Sequence, residues 1–212
     1  MKTLLRILSL PLLKISIILT IWKPATEIAT TLLKSSSDWK NIALVLHLCA
    51  FLIFPLGFLI KQWRKWLWGG LVLLVQISTT MIAIFYGMIP TIIFFAMLSI
   101  LTFKALLQNN LNFSGKNWDR TSFILCIFFI AFSLAYPHWI EPVSLSNILL
   151  FSPLGLANCP TLLFTCGFMI LADNCRPKFL SFLVAFLTIY FGFFWHITTK
   201  CIYRCGSNYC RI

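Results

Sequence analysis

The chain has 212 residues, of which 60% are hydrophobic, 16% aromatic and only 10% charged, and its mean hydropathy is +0.92. A soluble domain carries about a quarter of charged residues, so this composition excludes an ordinary soluble globular domain. The 17 Lys and Arg against 5 Asp and Glu give a formal net charge of +12. Because the basic residues lie between apolar segments, they predict anionic lipid headgroups of the cytoplasmic face as partners, and no nucleic acid.

The apolar runs predict an all-α integral membrane protein, a polytopic helical bundle of six or seven transmembrane helices. A transmembrane β-barrel is excluded because residues 92–103 are almost continuously apolar instead of alternating. All 212 residues are predicted to form one membrane domain. The predicted spans are residues 42–60, 69–86, 91–107, 121–137, 158–173 and 179–199, and a basic, cysteine-rich tail follows at 200–212.

The first apolar segment, residues 4–22, carries Arg6 and Lys14 and resembles the start of a signal peptide. No small-x-small cleavage pattern follows it, so we expect either an uncleaved first span or an amphipathic helix lying in the interface. The mixed polar residues 23–40 predict a short surface helix.

Two connections carry clear patterns. The sequence KQWRKWLW at 61–68 combines basic residues with tryptophan, which predicts an interfacial anchor; a specific lipid site is the alternative. Residues 87–90 are short and uncharged and contain Gly87 and Pro90, which predicts an antiparallel helical hairpin.

The distribution of Lys and Arg predicts the orientation. If all seven segments cross, ten of these residues fall on one side and six on the other, while Lys14 lies within the first segment. The richer side is expected to be cytoplasmic, so the N-terminus lies inside and the C-terminus outside the plasma membrane. The loop 138–157, which has no Lys or Arg, then faces outward.

The tetrapeptide Asn158-Cys159-Pro160-Thr161 opens the segment 158–173. Proline favours the first helical position, so Pro160 is predicted to begin a helix with Cys159 near its N-cap. Such a thiol would suit redox or metal chemistry if water reached it. In the structural alternative, Asn158, Thr161 and Thr165 satisfy local backbone groups.

The segment Tyr136-Pro137-His138-Trp139-Ile140-Glu141-Pro142 is the second candidate. His138 and Glu141 would titrate together in a proton relay, whereas the alternative is an aromatic belt with two turn-forming prolines. His47 lies inside a predicted span, where the alternative to a functional role is a neutral histidine hydrogen-bonded to a neighbouring helix. If the tail lies outside, two of its cysteines, Cys201, Cys205 and Cys210, would form a disulfide, and the third would be free or pair elsewhere. If the tail lies inside, these cysteines would be lipidated or metal-bound.

The order of features in the second half resembles an uncharacterised family of small bacterial polytopic membrane proteins, known only as a domain of unknown function. The resemblance covers about 40 residues and rests on Tyr136, Pro137, Gly155, Cys159, Pro160, Thr161, Thr165 and Gly167. Asn158 stands where that pattern often has proline, and Cys166 occupies a usually apolar position. The resemblance implies a bacterial inner-membrane protein of about six spans, and it implies no reaction.

No catalytic set, metal site or particular cofactor is predicted, because no Ser-His-Asp arrangement, paired acids, phosphate loop or HExxH motif occurs. The leading hypothesis is a non-enzymatic membrane protein. It would be an accessory subunit that binds other membrane subunits, or a small-solute permease-like bundle. The alternative is a thiol-redox or metal-handling membrane protein that uses Cys159.

Overall fold

The computed structural model describes residues 25–113, 115, 118–136, 144–172, 174–175 and 178–205. Most of these residues form eight α-helices: α1 (Ala25–Asp38), α2 (Lys40–Leu59), α3 (Arg64–Phe85), α4 (Ile89–Leu107), α5 (Arg120–Leu134), α6 (Leu145–Phe151), α7 (Asn158–Leu171) and α8 (Lys178–Cys205). A 3-10 turn at Lys61–Trp63 joins α2 to α3, and β1 (Leu111–Asn112) pairs antiparallel with β2 (Asn174–Cys175). The segment 4–22 and the residues Pro137, His138 and Glu141 lie outside the described residues.

The predicted all-α class is confirmed for the described residues. Three helical segments among them are long and apolar enough to cross a membrane: Lys40–Leu59, Lys61–Phe85 and Ile89–Leu107. The apolar stretches Arg120–Leu134, Asn158–Leu171 and Lys178–Phe191 are shorter. The lengths therefore indicate three candidate spans where the sequence predicts six or seven.

The predicted hairpin of α3 and α4 is present. The two helices pack side by side along their length, and only Tyr86, Gly87 and Met88 separate them. Gly87 has a φ of +63°, a left-handed conformation that costs glycine no steric strain. The Met88 N–H closes the turn by donating to the Ala83 carbonyl at 2.9 Å.

The connections gather at two ends of the bundle. At the first, which we call the basic end, β1 pairs with β2 and the Trp118 indole N–H donates to the Leu171 carbonyl at 2.8 Å. At the opposite end, which we call the motif end, the Tyr86 hydroxyl donates to the Asp38 carboxylate at 2.7 Å. Six of the described Lys and Arg lie at the basic end (Lys61, Arg64, Lys65, Lys104, Arg120, Lys178), and four lie towards the opposite end (Lys34, Lys40 and, in the last turns of α8, Lys200 and Arg204).

An aromatic cluster under the basic end is centred on Trp68, which is completely buried. Its ring stacks on Phe54 and on Trp118, with ring centroids 5.6 and 5.7 Å apart, and its N–H donates to the Phe54 carbonyl at 3.0 Å. Buried tryptophan usually finds such a polar partner, because its N–H would otherwise lose a hydrogen bond to water. The cluster thereby fixes α2, α3 and the chain before α5 to one another.

Helix α7 lies in the middle of the bundle, against α5, α8 and α3. Its 14 residues span about 21 Å, less than the roughly 30 Å of a hydrocarbon core. Gly167 allows close contact with α5, since an added Cβ would lie 2.9 Å from Ile130 and 3.2 Å from the Cys126 carbonyl oxygen. The lead-in to α7 forms a separate short helix, α6, which packs on α2.

The N-terminus of α5 provides a pH-dependent prediction. The exposed Asp119 carboxylate caps α5 by accepting from the Ser122 N–H at 2.9 Å, and its hydrogen bonds with Ser122 hold its pKa below the ordinary value. Because the pKa of Asp119 is lower in the folded state, the ionised carboxylate stabilises the folded protein above about pH 4. This stabilisation is lost as the pH falls through the folded-state pKa.

Asp119→Asn keeps a good capping residue without the charge. We therefore expect the variant to melt slightly below the unmodified protein at pH 7, with the difference disappearing towards pH 3. Thermal unfolding in detergent between pH 3 and pH 7 measures this. A difference in melting temperature that grows on acidification would contradict the assigned role of Asp119.

Candidate functional site

Helix α7 begins two residues earlier than the proline predicts. Ala157 is the N-cap residue, so Asn158, Cys159 and Pro160 occupy the first three helical positions. The prediction that Pro160 begins the helix is therefore wrong. None of the first backbone N–H groups of a helix has an intrahelical partner, so proline loses no hydrogen bond at the third position either.

The six residues before α7, 152–157, are all buried although their backbone is not helical. The Ser152 hydroxyl donates to the Ser133 carbonyl and accepts from the Tyr136 N–H, both at 3.1 Å. Gly155 has a φ of +72°, and its N–H donates to the Thr161 hydroxyl at 3.1 Å. Irregular backbone at membrane depth is tolerated only where protein or a water-filled cavity surrounds it. Here, the Thr161 hydroxyl of α7 is the partner of the Gly155 N–H, and the carbonyls of Ser152 and Pro153 accept from the N–H groups of Leu154, Leu156 and Ala157.

Four uncharged polar side chains, which we call the polar stripe, lie between α3 and α7. Gln76 and Thr79 of α3 face Thr165 and Thr161 of α7, and all four are completely buried. The two threonine hydroxyls, Thr79 and Thr161, are 2.8 Å apart, and the Gln76 amide donates to the Thr165 hydroxyl at 3.4 Å. Thr165 also donates to the Thr161 carbonyl at 2.8 Å. The stripe is thus a continuous line of neutral donors and acceptors inside an apolar bundle.

Two buried amide oxygens in and beside the polar stripe have no hydrogen-bond partner among the described residues. One is Gln76 Oε1, and the other is Oδ1 of Asn158, whose NH₂ group donates to the Thr91 hydroxyl at 3.0 Å. An unpaired acceptor costs roughly 1–3 kcal/mol when it is buried, so such atoms are uncommon in folded proteins. Both oxygens therefore have acceptor capacity that no described residue uses.

Cys159 and Tyr136 meet at an apolar cavity of about 220 Å³. The thiol and the phenol are hydrogen-bonded to each other. The remaining lining comes from α5, α7 and α8: Phe132, Leu162, Leu163, Thr188 and Phe191. The surroundings of Cys159 are therefore apolar, unlike the electropositive, water-accessible sites in which reactive thiolates occur.

His47 connects α2 to the end of α5. Its Nδ1 lies 2.8 Å from the Ala43 carbonyl oxygen and its Nε2 lies 3.0 Å from that of Leu134. A neutral imidazole has one N–H, so it donates to one of these oxygens at a time, whereas the imidazolium would donate to both. His47 is accordingly a buried histidine hydrogen-bonded to a neighbouring helix, as the structural alternative expects.

The predicted motif is brought together in part. Of the described members, Asn158, Cys159, Pro160, Thr161 and Thr165 share the first half of α7, and Tyr136 reaches them from the end of α5. The side chains of the tail cysteines lie outside the described part of the chain. No group of three His, Cys, Asp or Glu side chains in the described ranges is placed to bind a metal ion.

Sequence reasoning missed Gln76 and Thr79, because neither side chain is ionisable and neither belongs to a recognisable motif. A usable signal existed, since Gln76 and Asn158 are the only Asn or Gln residues within the predicted spans. A buried amide in a membrane helix is costly unless it is hydrogen-bonded or functional.

Removal of the Thr161 hydroxyl is predicted to destabilise the protein. Thr161→Val keeps the side-chain shape but leaves the Gly155 N–H and the Thr79 hydroxyl without their shared partner. We expect a loss of about 1–2 kcal/mol in the free energy of unfolding, measured by denaturation in mixed micelles.

The matched control for that variant is Thr102→Val. Thr102 is equally buried, but its hydroxyl has no partner among the described residues, so valine should be neutral or slightly stabilising. Equal losses of stability in the two variants would show that the polar stripe makes no special contribution.

The three candidate membrane-spanning helices and the polar groups buried among apolar helices indicate a helical membrane protein. Comparison with family models, with curated proteins and with solved structures finds no match for this chain.

Proposed function

We propose that the protein is a non-enzymatic, multi-pass membrane protein of six or seven spans that acts as a permease-like bundle for a small uncharged solute. The observation that carries the proposal is the polar stripe of Gln76, Thr79, Thr161 and Thr165, together with the unpaired Gln76 Oε1. Polar side chains inside membrane bundles are expensive, and they commonly mark the path of a substrate.

The chemistry of the stripe favours an uncharged solute. Hydroxyl and amide groups both donate and accept hydrogen bonds, so they complement water, urea or a small polyol. No Lys, Arg, Asp or Glu is buried between α3 and α7 in the described residues, and an ion would need such a counter-charge or a set of oxygen ligands.

The neighbouring backbone supports the same proposal. A short helix and a buried irregular turn, such as α7 and residues 152–157, resemble the interrupted helices from which many transporters form their binding sites. Asn158 Oδ1 adds an unpaired acceptor beside the start of α7.

Two other roles have less support. An accessory subunit would need a surface specific for other membrane subunits, and the exposed apolar side chains of α2–α5 are equally suited to lipid. A thiol-redox or metal-handling protein would need a reactive Cys159, whereas this thiol lies against apolar side chains and is bonded to Tyr136.

The proposal includes a bacterial inner-membrane location with the N-terminus inside and the C-terminus outside. It is supported by the excess of basic residues at the basic end and by the resemblance of the segment 136–167 to the uncharacterised bacterial family. An impermeant maleimide applied to intact cells should label a single-cysteine variant that retains Cys205, and leave one that retains Cys175 unlabelled. The reverse pattern would show that the orientation is inverted.

The solute proposal is tested with the purified chain in liposomes. Stopped-flow light scattering would measure the flux of water, urea and glycerol, and we expect at least one solute to move faster than through protein-free liposomes. Gln76→Leu should lower that flux about tenfold, since it removes a hydrogen bond worth roughly 1.4 kcal/mol.

Thr102→Val is the control in this assay, because it removes a buried hydroxyl outside the polar stripe and should leave the flux unchanged. Permeability equal to that of protein-free liposomes for every solute would contradict the proposal and favour the accessory-subunit role.

A further inference from the structure

A second and larger cavity lies at the basic end, remote from the polar stripe. Its volume is about 550 Å³, and its polar lining consists of Lys61, Gln62, Arg64, Lys65, Asn109 and Asn112. Three cations and three amides in one concave site are unusual, because like charges repel and tend to spread over a surface. We call this cavity the basic pocket.

Two of its cations are held in place by the fold. Arg64 donates to the Gly57 and Phe113 carbonyls at 2.7 and 3.0 Å, and its guanidinium lies over Trp68 and Trp118 at 5.4 and 5.0 Å from the ring centroids. These contacts fix the position of a buried positive charge. A site that is rigid before binding loses little entropy when its ligand arrives.

Lys65 is fixed in a similar way. Its ammonium group donates to the Leu106 carbonyl at 3.2 Å and to the side-chain oxygen of Asn109. Asn109 has a φ of +55°, the left-handed conformation that ends many helices, and asparagine tolerates it better than most residues. The end of α4 therefore holds the Lys65 charge at the rim of the basic pocket.

The third cation, Lys61, is exposed, and its ammonium group has no hydrogen bond or ion pair with any described residue. No carboxylate in the described ranges pairs with Lys61 or Lys65 either. The amides of Gln62 and Asn112 add N–H donors to the same wall. Positive charge and N–H donors around a concave site favour an anion with several oxygen acceptors.

The position of the basic pocket indicates where such an anion would come from. Trp63 and Trp66 are exposed beside it, and exposed tryptophan is typical of the headgroup layer of a membrane. The volume lies within the range of small-molecule sites.

We propose that the basic pocket binds a phosphate group, carried either by the headgroup of an anionic phospholipid or by a free phosphate. The Lys61 ammonium group would contact the phosphate directly, while Arg64 and Lys65 provide fixed positive charge. This site is independent of the solute path proposed for the polar stripe.

The test uses the full chain in a non-ionic detergent, with the thermal unfolding temperature as the readout. Short-chain phosphatidylglycerol, short-chain phosphatidylcholine and inorganic phosphate are titrated separately. Stabilisation by phosphatidylglycerol alone would identify a lipid-headgroup site, and stabilisation by inorganic phosphate as well would identify a free-phosphate site. The proposal is overturned if no ligand stabilises the protein, or if phosphatidylcholine does so as strongly as phosphatidylglycerol.

Lys61→Gln gives the decisive comparison, because the Lys61 ammonium group bonds to no described residue and its loss should not affect folding. We expect about fivefold weaker apparent binding, as one basic residue near a membrane surface contributes roughly 1 kcal/mol. Lys104→Gln is the matched control, since Lys104 is exposed at the same end but does not line the basic pocket. The Lys104→Gln variant should bind the ligand as strongly as the unmodified protein does. Equally weakened ligand binding in both variants would show that general surface charge causes the effect, and this result would overturn the proposal.

Discussion

Replacing Gly57 with alanine is expected to lower the free energy of unfolding by about 2–3 kcal/mol, because it overpacks the aromatic cluster. An added Cβ at Gly57 would lie 2.0 Å from Nε1 and 2.4 Å from Cε2 of Trp68. The indole cannot move aside, since it stacks on Phe54 and Trp118 and donates to the Phe54 carbonyl. Helices α2 and α3 would therefore have to separate.

Gly70 provides the control for that substitution. It also lies within a helix, but an added Cβ would meet no atom within 4 Å, so Gly70→Ala should be neutral or slightly stabilising. Unfolding of the three proteins in the same micelles, followed by tryptophan fluorescence, measures the difference. An unchanged Gly57→Ala protein would refute the close packing of Gly57 on Trp68.

The second large effect is expected for Arg64→Lys, although the charge is kept. Lysine cannot reproduce the planar guanidinium that donates to the Gly57 and Phe113 carbonyls while lying over the rings of Trp68 and Trp118. At least one buried carbonyl would lose its partner and a cation–π contact would be weakened. We expect a loss of about 2–4 kcal/mol in the free energy of unfolding.

Arg120→Lys is the matched control for this prediction, because Arg120 is exposed at the start of α5 and the same change should be nearly neutral there. Denaturation of both variants under identical conditions gives the comparison. If Arg64→Lys were as stable as Arg120→Lys, the contacts of the buried Arg64 guanidinium would make no measurable contribution to the free energy of unfolding.

The helices were largely predictable because long apolar runs and their polar interruptions are local properties of the sequence. The segments predicted at 42–60 and 91–107 correspond closely to α2 and α4, and Gly87 with Pro90 identified the hairpin between α3 and α4. Helix α3 begins several residues before its predicted start because the amphipathic stretch 64–68 is helical too. The second half of the basic cluster therefore forms the first turn of α3.

Other features depend on how distant segments pack, and no local pattern reveals that packing. The two-residue strands of β1 and β2 are too short to show alternation, and 62 residues separate Leu111 from Asn174, where they begin. The polar stripe likewise requires Gln76 to face Thr165 across two helices, which depends on the rotation of α3 and α7 about their axes. The bond between Tyr136 and Cys159 depends on the path of the intervening chain.

The central claim is that solute reaches the polar stripe between α3 and α7, and cysteine accessibility tests it most directly. In a background with all 8 native cysteines replaced, Gln76→Cys would be treated in membranes with a small, water-soluble methanethiosulfonate. Val72→Cys is the control, because Val72 is equally buried one helical turn away. We predict that the cysteine at position 76 reacts and that the one at position 72 does not. Two cysteines of equal, negligible reactivity would contradict a solute path along the polar stripe.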